Sequence, residues 1–214
     1  MYCNAVCDYQ RIYEHAQSVK MGEWQKAPDF SYRKTPIFEI ANQTMGIVGM
    51  GRIGQSVARV AKAFGMKVLC YSKHPHPELE DEQLHFVSLE ELLSNSDIVS
   101  LHCPLTEETE NMICKKTIAL MKPSRNLNQY FPRKDYQLAG SGKCADNRKA
   151  WLCGYRRTGG RTTVHGSPLI ENSRCLVTPH IAWAPLQART RCMQIVEENI
   201  RAFKEGKPQN VINL

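Results

Sequence analysis

Gly49, Gly51 and Gly54 stand at G-x-G-x-x-G spacing, and that spacing serves one kind of chemistry, holding a pyrophosphate against bare main chain. Where such a triplet follows a strand and opens a helix, the first glycine permits the tight turn. The second lets backbone approach the anion, and the third lets helix and strand pack closely. The exposed N–H groups and the positive end of the helix then favour negative charge. A mere packing turn is the competing reading of the same glycines, so the flanking elements decide. Some 20 positions further on, the chain reads Tyr71, Ser72, Lys73, where an acidic side chain would accept from a ribose 2′-OH. No carboxylate stands at that point. Ser72 with Lys73 could tolerate a 2′-phosphate, but Lys73 reads first as a solvated surface charge, and NAD and NADP both stay open.

The elements around the triplet follow from apolar periodicity. Tyr9, Ile12, Tyr13, Ala16 and Val19 recur at helical spacing until Gly22, predicting an entry helix, and an extended connection follows through Pro28 and Pro36. Met45 to Val48 is a short apolar run ending at Gly49 and predicts a buried strand. Val57, Ala58, Val60, Ala61 and Phe64 mark one face of a helix closed by Gly65, and Lys67 to Tyr71 predicts a second strand. Ser88 with Glu91 is a capping box opening a helix that carries Leu89, Leu92 and Leu93. Ile98 to Cys103 predicts a further strand ended by Pro104, and a polar stretch from Thr106 leads into a helical piece reaching Met121. Cys175 to Val177 suits one more strand. Pro185 then opens a long amphipathic helix with Leu186, Met193, Val196, Ile200 and Phe203 along one side until Gly206. Strands alternating with helices predict an α/β fold with a doubly wound parallel sheet, the Rossmann-type dinucleotide-binding arrangement.

Composition narrows the function classes. The 214 residues, 42% hydrophobic and 23% charged, describe a globular chain, and no apolar run approaches the roughly 20 residues of a membrane span. Nine cysteines at irregular spacing, without a C-x-x-C pair, speak against a disulfide framework or a zinc ribbon, so no metal site is assigned and reduced thiols in the cytoplasm are expected. The net charge of +7 would invite a nucleic-acid partner, but its location argues otherwise. Residues 125–163 hold nine basic residues and only Asp135 and Asp146, so the remainder has 19 basic and 19 acidic residues. That stretch has five glycines and no apolar periodicity, and its few aromatics fall in no repeating register, so neither nucleic acid nor membrane is expected as a partner.

Four motifs in order, TMGIVGMGRIG, VSLHCPLT, ALMKPS and TPHIAWA, resemble the D-isomer-specific 2-hydroxyacid dehydrogenases. GEWQKAPDF before them and ENIRAFKEGKPQNVIN after them look most like the glycerate dehydrogenase, or hydroxypyruvate reductase, branch. The resemblance covers roughly residues 14–124 and 164–214. It implies a two-domain, dimeric, cytosolic enzyme that moves hydride between a nicotinamide and a small 2-keto or 2-hydroxy acid. Gly49, Gly51, Arg52, Ile53 and Gly54 match the family's pyrophosphate turn, and Ser72 falls at its adenosine-ribose position. His102, Cys103, Pro104 and Thr109 match the segment lying along the nucleotide. His180 matches the general acid/base, a role imidazole suits because a carbonyl oxygen gaining hydride must also receive a proton.

Two turns the family uses, an N-T-x-R-G turn whose Arg binds substrate and a V-x-x-E-P turn whose Glu pairs with the histidine, do not occur in this sequence. Asn126 to Arg133, NLNQYFPR, can be encoded AAY CTN AAY CAR TAY TTY CCN AGR. Read one base later, that string can spell I-L-I-N-T-S-R-G. Arg156 to Thr162, RRTGGRT, can spell D-V-L-G-V-E-P with the same offset. We therefore read residues from about Arg125 to about Thr163 as a frame-shifted translation, which also explains the basic excess and Cys144 and Cys153.

The expected organisation is an entry helix and linker from a truncated substrate domain over residues 1–35, a dinucleotide-binding domain over 36–184 and a C-terminal amphipathic helix and tail over 185–214. Within it, the later strands and one crossover helix are expected to be displaced by the anomalous stretch, exposing a ladder edge. Two function readings follow. One is an NAD(P)-dependent oxidoreductase of the glycerate or hydroxypyruvate type; the other is an inactive remnant that binds nucleotide but lacks the Arg and Glu.

Overall fold

The computed structural model describes residues 10–104, 106–122, 125–129, 150–155, 175–177, 181 and 183–212, with the backbone alone for 125–129, 150–155 and 175–177. His180 and most of the anomalous stretch lie outside the described residues. The chain divides into two compact units, one ending at Val177 and the other following it.

In the first unit, α1 (Ile12–Lys20) precedes β1 (Thr44–Val48), α2 (Arg52–Ala63) and β2 (Lys67–Tyr71). Then come β3 (Leu84–Phe86), α3 (Leu89–Asn95), β4 (Ile98–Leu101) and α4 (Lys115–Leu120). Strands β5 (Arg125–Gln129), β6 (Ala150–Tyr155) and β7 (Cys175–Val177) complete a sheet ordered β3-β2-β1-β4-β5-β6-β7. Every neighbouring pair in it is parallel. The strand order reverses between β1 and β4, which makes their carboxyl ends the place where an open α/β sheet leaves a crevice.

Period-two alternation distributes the core over both faces of this sheet. Met45 and Ile47 of β1, with Val68 and Cys70 of β2, join Val57, Ala58 and Ala61 of α2 on one face. Val48 of β1 with Val99 and Leu101 of β4 joins Leu92 and Leu93 of α3 and Ile118 of α4 on the other. At the amino ends of the strands, Asp97 accepts from the Thr44 amide at 2.9 Å and from Lys122 Nζ at 3.0 Å, fixing β1 and β4 in register.

Several expectations need correction. The ladder edge of β4 is not exposed, because Arg125–Gln129 pairs along it from Ile98↔Asn126 to Leu101↔Gln129. Ladder bonds use N–H and C=O groups that every non-proline residue carries, so a polar sequence still closes an edge. Strand β4 stops at Leu101 rather than Cys103, and Pro104 has no N–H with which the ladder could continue. The helical piece expected to reach Met121 is Lys115–Leu120 with Met121 as its C-cap, opened by a reciprocal cap between Cys114 and Thr117. At Ser88 the hydroxyl accepts from the Glu91 amide at 3.1 Å. The three-residue β3 escaped prediction because so short a run carries no periodic signal. In the second unit, α5 (Leu186–Lys204) has Pro185 at its N-cap and no buried residue.

Candidate functional site

Gly49 follows β1 with φ +95°, a conformation open chiefly to glycine. Its amide donates to the Tyr71 carbonyl at 2.8 Å, and the His102 amide donates to the Val48 carbonyl at 2.7 Å. The turn after β1 is thereby sewn to the ends of β2 and β4. A Cβ on Gly49 would lie 2.7 Å from the Cys103 nitrogen and 2.8 Å from the His102 carbonyl carbon, so only glycine lets the two strand ends meet. A Cβ on Gly54 would lie 2.1 Å from the Gly49 carbonyl oxygen, which is how closely α2 sits on the turn.

Gly51 differs from both. It caps α2 with ordinary backbone angles, and a Cβ there would meet nothing within 4 Å. The space in front of it is open, and the first amides of α2 have no partner within the helix. An anion approaching Gly51 thus meets backbone donors at a positive helix end.

A cleft of about 510 Å³ opens at this point, bounded by the turn after β1, the end of β2 and the segment after β4. Gly49, Gly51, Ser72, His102, Cys103, Pro104 and Thr109 line it. Arg52 and Ile53 line an adjoining depression of about 830 Å³, shared with Gly51 and His102. Gly54 lines neither and is buried beneath the turn. The structure thus gathers nine of the candidate residues around one strand-end crevice with Gly54 below it, while His180 falls outside the described residues.

The electrostatics separate the side chains around the cleft. The His102 Nε2 lies 2.9 Å from Ser100 Oγ, and burial pushes the imidazole down to about 4, so it is neutral at pH 7. Burial pushes the Cys103 thiol up to about 11, which leaves it protonated and a poor nucleophile. The Thr109 hydroxyl donates to the Pro104 carbonyl at 2.7 Å and accepts from the Thr106 amide at 2.8 Å, knotting the segment after β4. Ser72 Oγ donates to the His74 carbonyl at 2.9 Å. Lys73 Nζ lies 2.6 and 2.7 Å from the two carboxylate oxygens of Glu108.

Sequence reasoning missed Glu108, along with Met50, Tyr71, His74, Thr106 and Met112, all of which line the cleft. Nothing in a one-dimensional pattern could have paired Glu108 with Lys73, 35 residues away. Among the described residues no group of His, Cys, Asp or Glu side chains is placed to hold a metal ion, and no helix is long and apolar enough to cross a membrane.

Residues 5–127 match the sequence model of the family described as D-isomer specific 2-hydroxyacid dehydrogenase, NAD binding domain. The chain is 38% identical over 205 residues to a hydroxypyruvate reductase of Blautia hydrogenotrophica, covering 93% of this chain and 62% of that protein. It is 34% identical over 203 residues to a glycerate dehydrogenase of Methylorubrum extorquens, covering 94% and 62% respectively. In structure it resembles the NAD-complexed D-isomer specific 2-hydroxyacid dehydrogenase of Lactobacillus delbrueckii ssp. bulgaricus, with a TM-score of 0.82 and 26% identity over 99% of this chain and 67% of that one. The chain therefore spans about 62% of the length of the curated relatives it matches.

Proposed function

Because this chain belongs to the D-isomer specific 2-hydroxyacid dehydrogenase family, we propose that it binds a nicotinamide dinucleotide, NAD or NADP, in the strand-end cleft and serves hydride exchange with a small 2-hydroxy or 2-keto acid. The observation that carries the reading is the contrast among the three glycines. Gly49 and Gly54 are closed in by backbone, while Gly51 faces open space at the mouth of α2, the arrangement a pyrophosphate needs.

On this reading the amides of Arg52, Ile53 and Gly54 receive the pyrophosphate at the start of α2. Ser72 stands at the adenosine-ribose end, and His102, Cys103, Pro104 and Thr109 flank the nucleotide along the end of β4. Neutral His102 and a protonated Cys103 suit a wall that excludes water and takes no proton itself. The bound nicotinamide supplies or accepts the hydride. His180 delivers the proton to the carbonyl oxygen, or removes it in the reverse direction, because imidazole titrates near neutral pH. A homodimer working in the cytoplasm completes the proposal, in keeping with the chain's composition and family.

A second reading, nucleotide binding without turnover, is favoured by one observation. The sequence contains neither an N-T-x-R-G nor a V-x-x-E-P turn, and without an Arg anchor the reacting carbonyl is poorly oriented. The two readings separate in one assay of the purified chain with hydroxypyruvate, following the absorbance of the reduced nicotinamide. Turnover supports the dehydrogenase; saturable dinucleotide binding with no turnover supports the second reading; no binding at all removes both.

A further inference from the structure

The cleft contains one acidic side chain and one lysine or arginine among the residues that line it, and these two are paired with each other. Lys73, just past β2, and Glu108, in the segment after β4, meet at 2.6 and 2.7 Å. Both side chains are about two-thirds exposed, 65% and 63%, so the pair spans the mouth of the cleft rather than its floor. Glu108 is held there by its neighbour, since the Thr109 hydroxyl ties to the Pro104 carbonyl and the Thr106 amide.

Resting on the nucleotide reading of the cleft, we propose that Glu108 is a specificity-determining residue that discriminates against a 2′-phosphate on the adenosine ribose by holding Lys73. The end of β2 carries Ser72 instead of a carboxylate, so it has no repulsive charge of its own against such a phosphate. A 2′-phosphate brings between about one and a half and two negative charges. It must take Lys73 from Glu108 and also tolerate the carboxylate left beside it. A free 2′-hydroxyl requires neither exchange. The carboxylate usually found at the end of β2 is thus replaced by one reaching across from β4, acting through the lysine it neutralises. An exposed ion pair is cheap to open, so the discrimination is modest and is removed by one substitution.

The test uses the full chain and two small probes, 5′-AMP and adenosine 2′,5′-bisphosphate, titrated calorimetrically at low ionic strength, with circular dichroism as the control for folding. Glu108→Gln is expected to tighten adenosine 2′,5′-bisphosphate about five-fold while moving 5′-AMP less than about two-fold. Adding Lys73→Gln to that variant is expected to abolish the gain. Equal shifts for both probes, no shift, or a gain that survives the loss of Lys73 would overturn the role of Glu108 and leave the cleft reading intact. Failure of the unsubstituted chain to bind either probe would overturn the cleft reading and this inference together.

Discussion

A side chain at Gly51 would project into empty space, since nothing lies within 4 Å of its Cβ position and its backbone angles suit any residue. Gly51→Val therefore keeps the fold and fills the space an anion would use. Dinucleotide affinity should fall at least about 100-fold, roughly 3 kcal/mol, with the thermal midpoint lowered only slightly by the poorer N-cap; unaltered titration of NAD in the variant would count against the site. His102 makes a different prediction. Its folded-state pKa lies near 4, below the ordinary 6.5, because burial disfavours the charged ring. Between those values the unfolded chain binds more protons, so this contribution is fully present above about pH 6.5 and is lost as pH falls toward 4. Acidification over that window should cost on the order of 3 kcal/mol more in the natural chain than in His102→Gln, as read from urea unfolding at several pH values. Parallel unfolding profiles would show that the ring is not held neutral.

Two elements carry stability arguments of their own. Helix α2 sits so close to the turn before it that a methyl at Gly54 would press on the Gly49 carbonyl oxygen at 2.1 Å, backbone against side chain with no rotamer to yield. Gly54→Ala should destabilise the chain by about 3 kcal/mol and weaken dinucleotide binding with it; a neutral substitution would mean that the helix can slide away from the turn. Strand β5 poses the reverse case. It pairs with β4 and β6 in a wholly parallel sheet, a setting that normally demands a near-continuous apolar run, yet it carries Asn126, Asn128 and Gln129. The one-base-offset reading of the same codons gives I-L-I-N-T. If that reading restores the proper strand, Asn126→Ile with Asn128→Ile should raise stability by about 1 kcal/mol for each substitution, measured as the urea midpoint. A lower midpoint would mean that the polar strand suits its place.

At the scale of the whole molecule, the frame hypothesis for residues 125–163 makes the strongest claim, that its codons read one base later encode the missing Arg and Glu turns, through compensating indels in the gene or in its sequencing. A chain expressed with the restored frame should reduce hydroxypyruvate at least about 100-fold faster than the chain as written, and independently prepared DNA that encodes the chain as written in an uninterrupted frame, with no one-base offset, would remove the idea. The sequence by itself determined β1, α2, β2, α3 and β4, though not the three-residue β3, because an apolar period of two or 3.6 is a local property of the longer elements. It also determined the glycine turn after β1, because Gly49 and Gly54 are required by contacts that their own neighbouring elements create. The anomalous stretch showed in the sequence for the same reason, as a loss of period and a local excess of positive charge. Only the tertiary structure decided that polar Arg125–Gln129 still closes the edge of β4, since ladder pairing is made by backbone groups to which composition is blind. It alone decided, too, that Lys73 meets Glu108. Their encounter depends on two strand ends lying side by side at the point where the sheet reverses its order, and no spacing along one dimension encodes that.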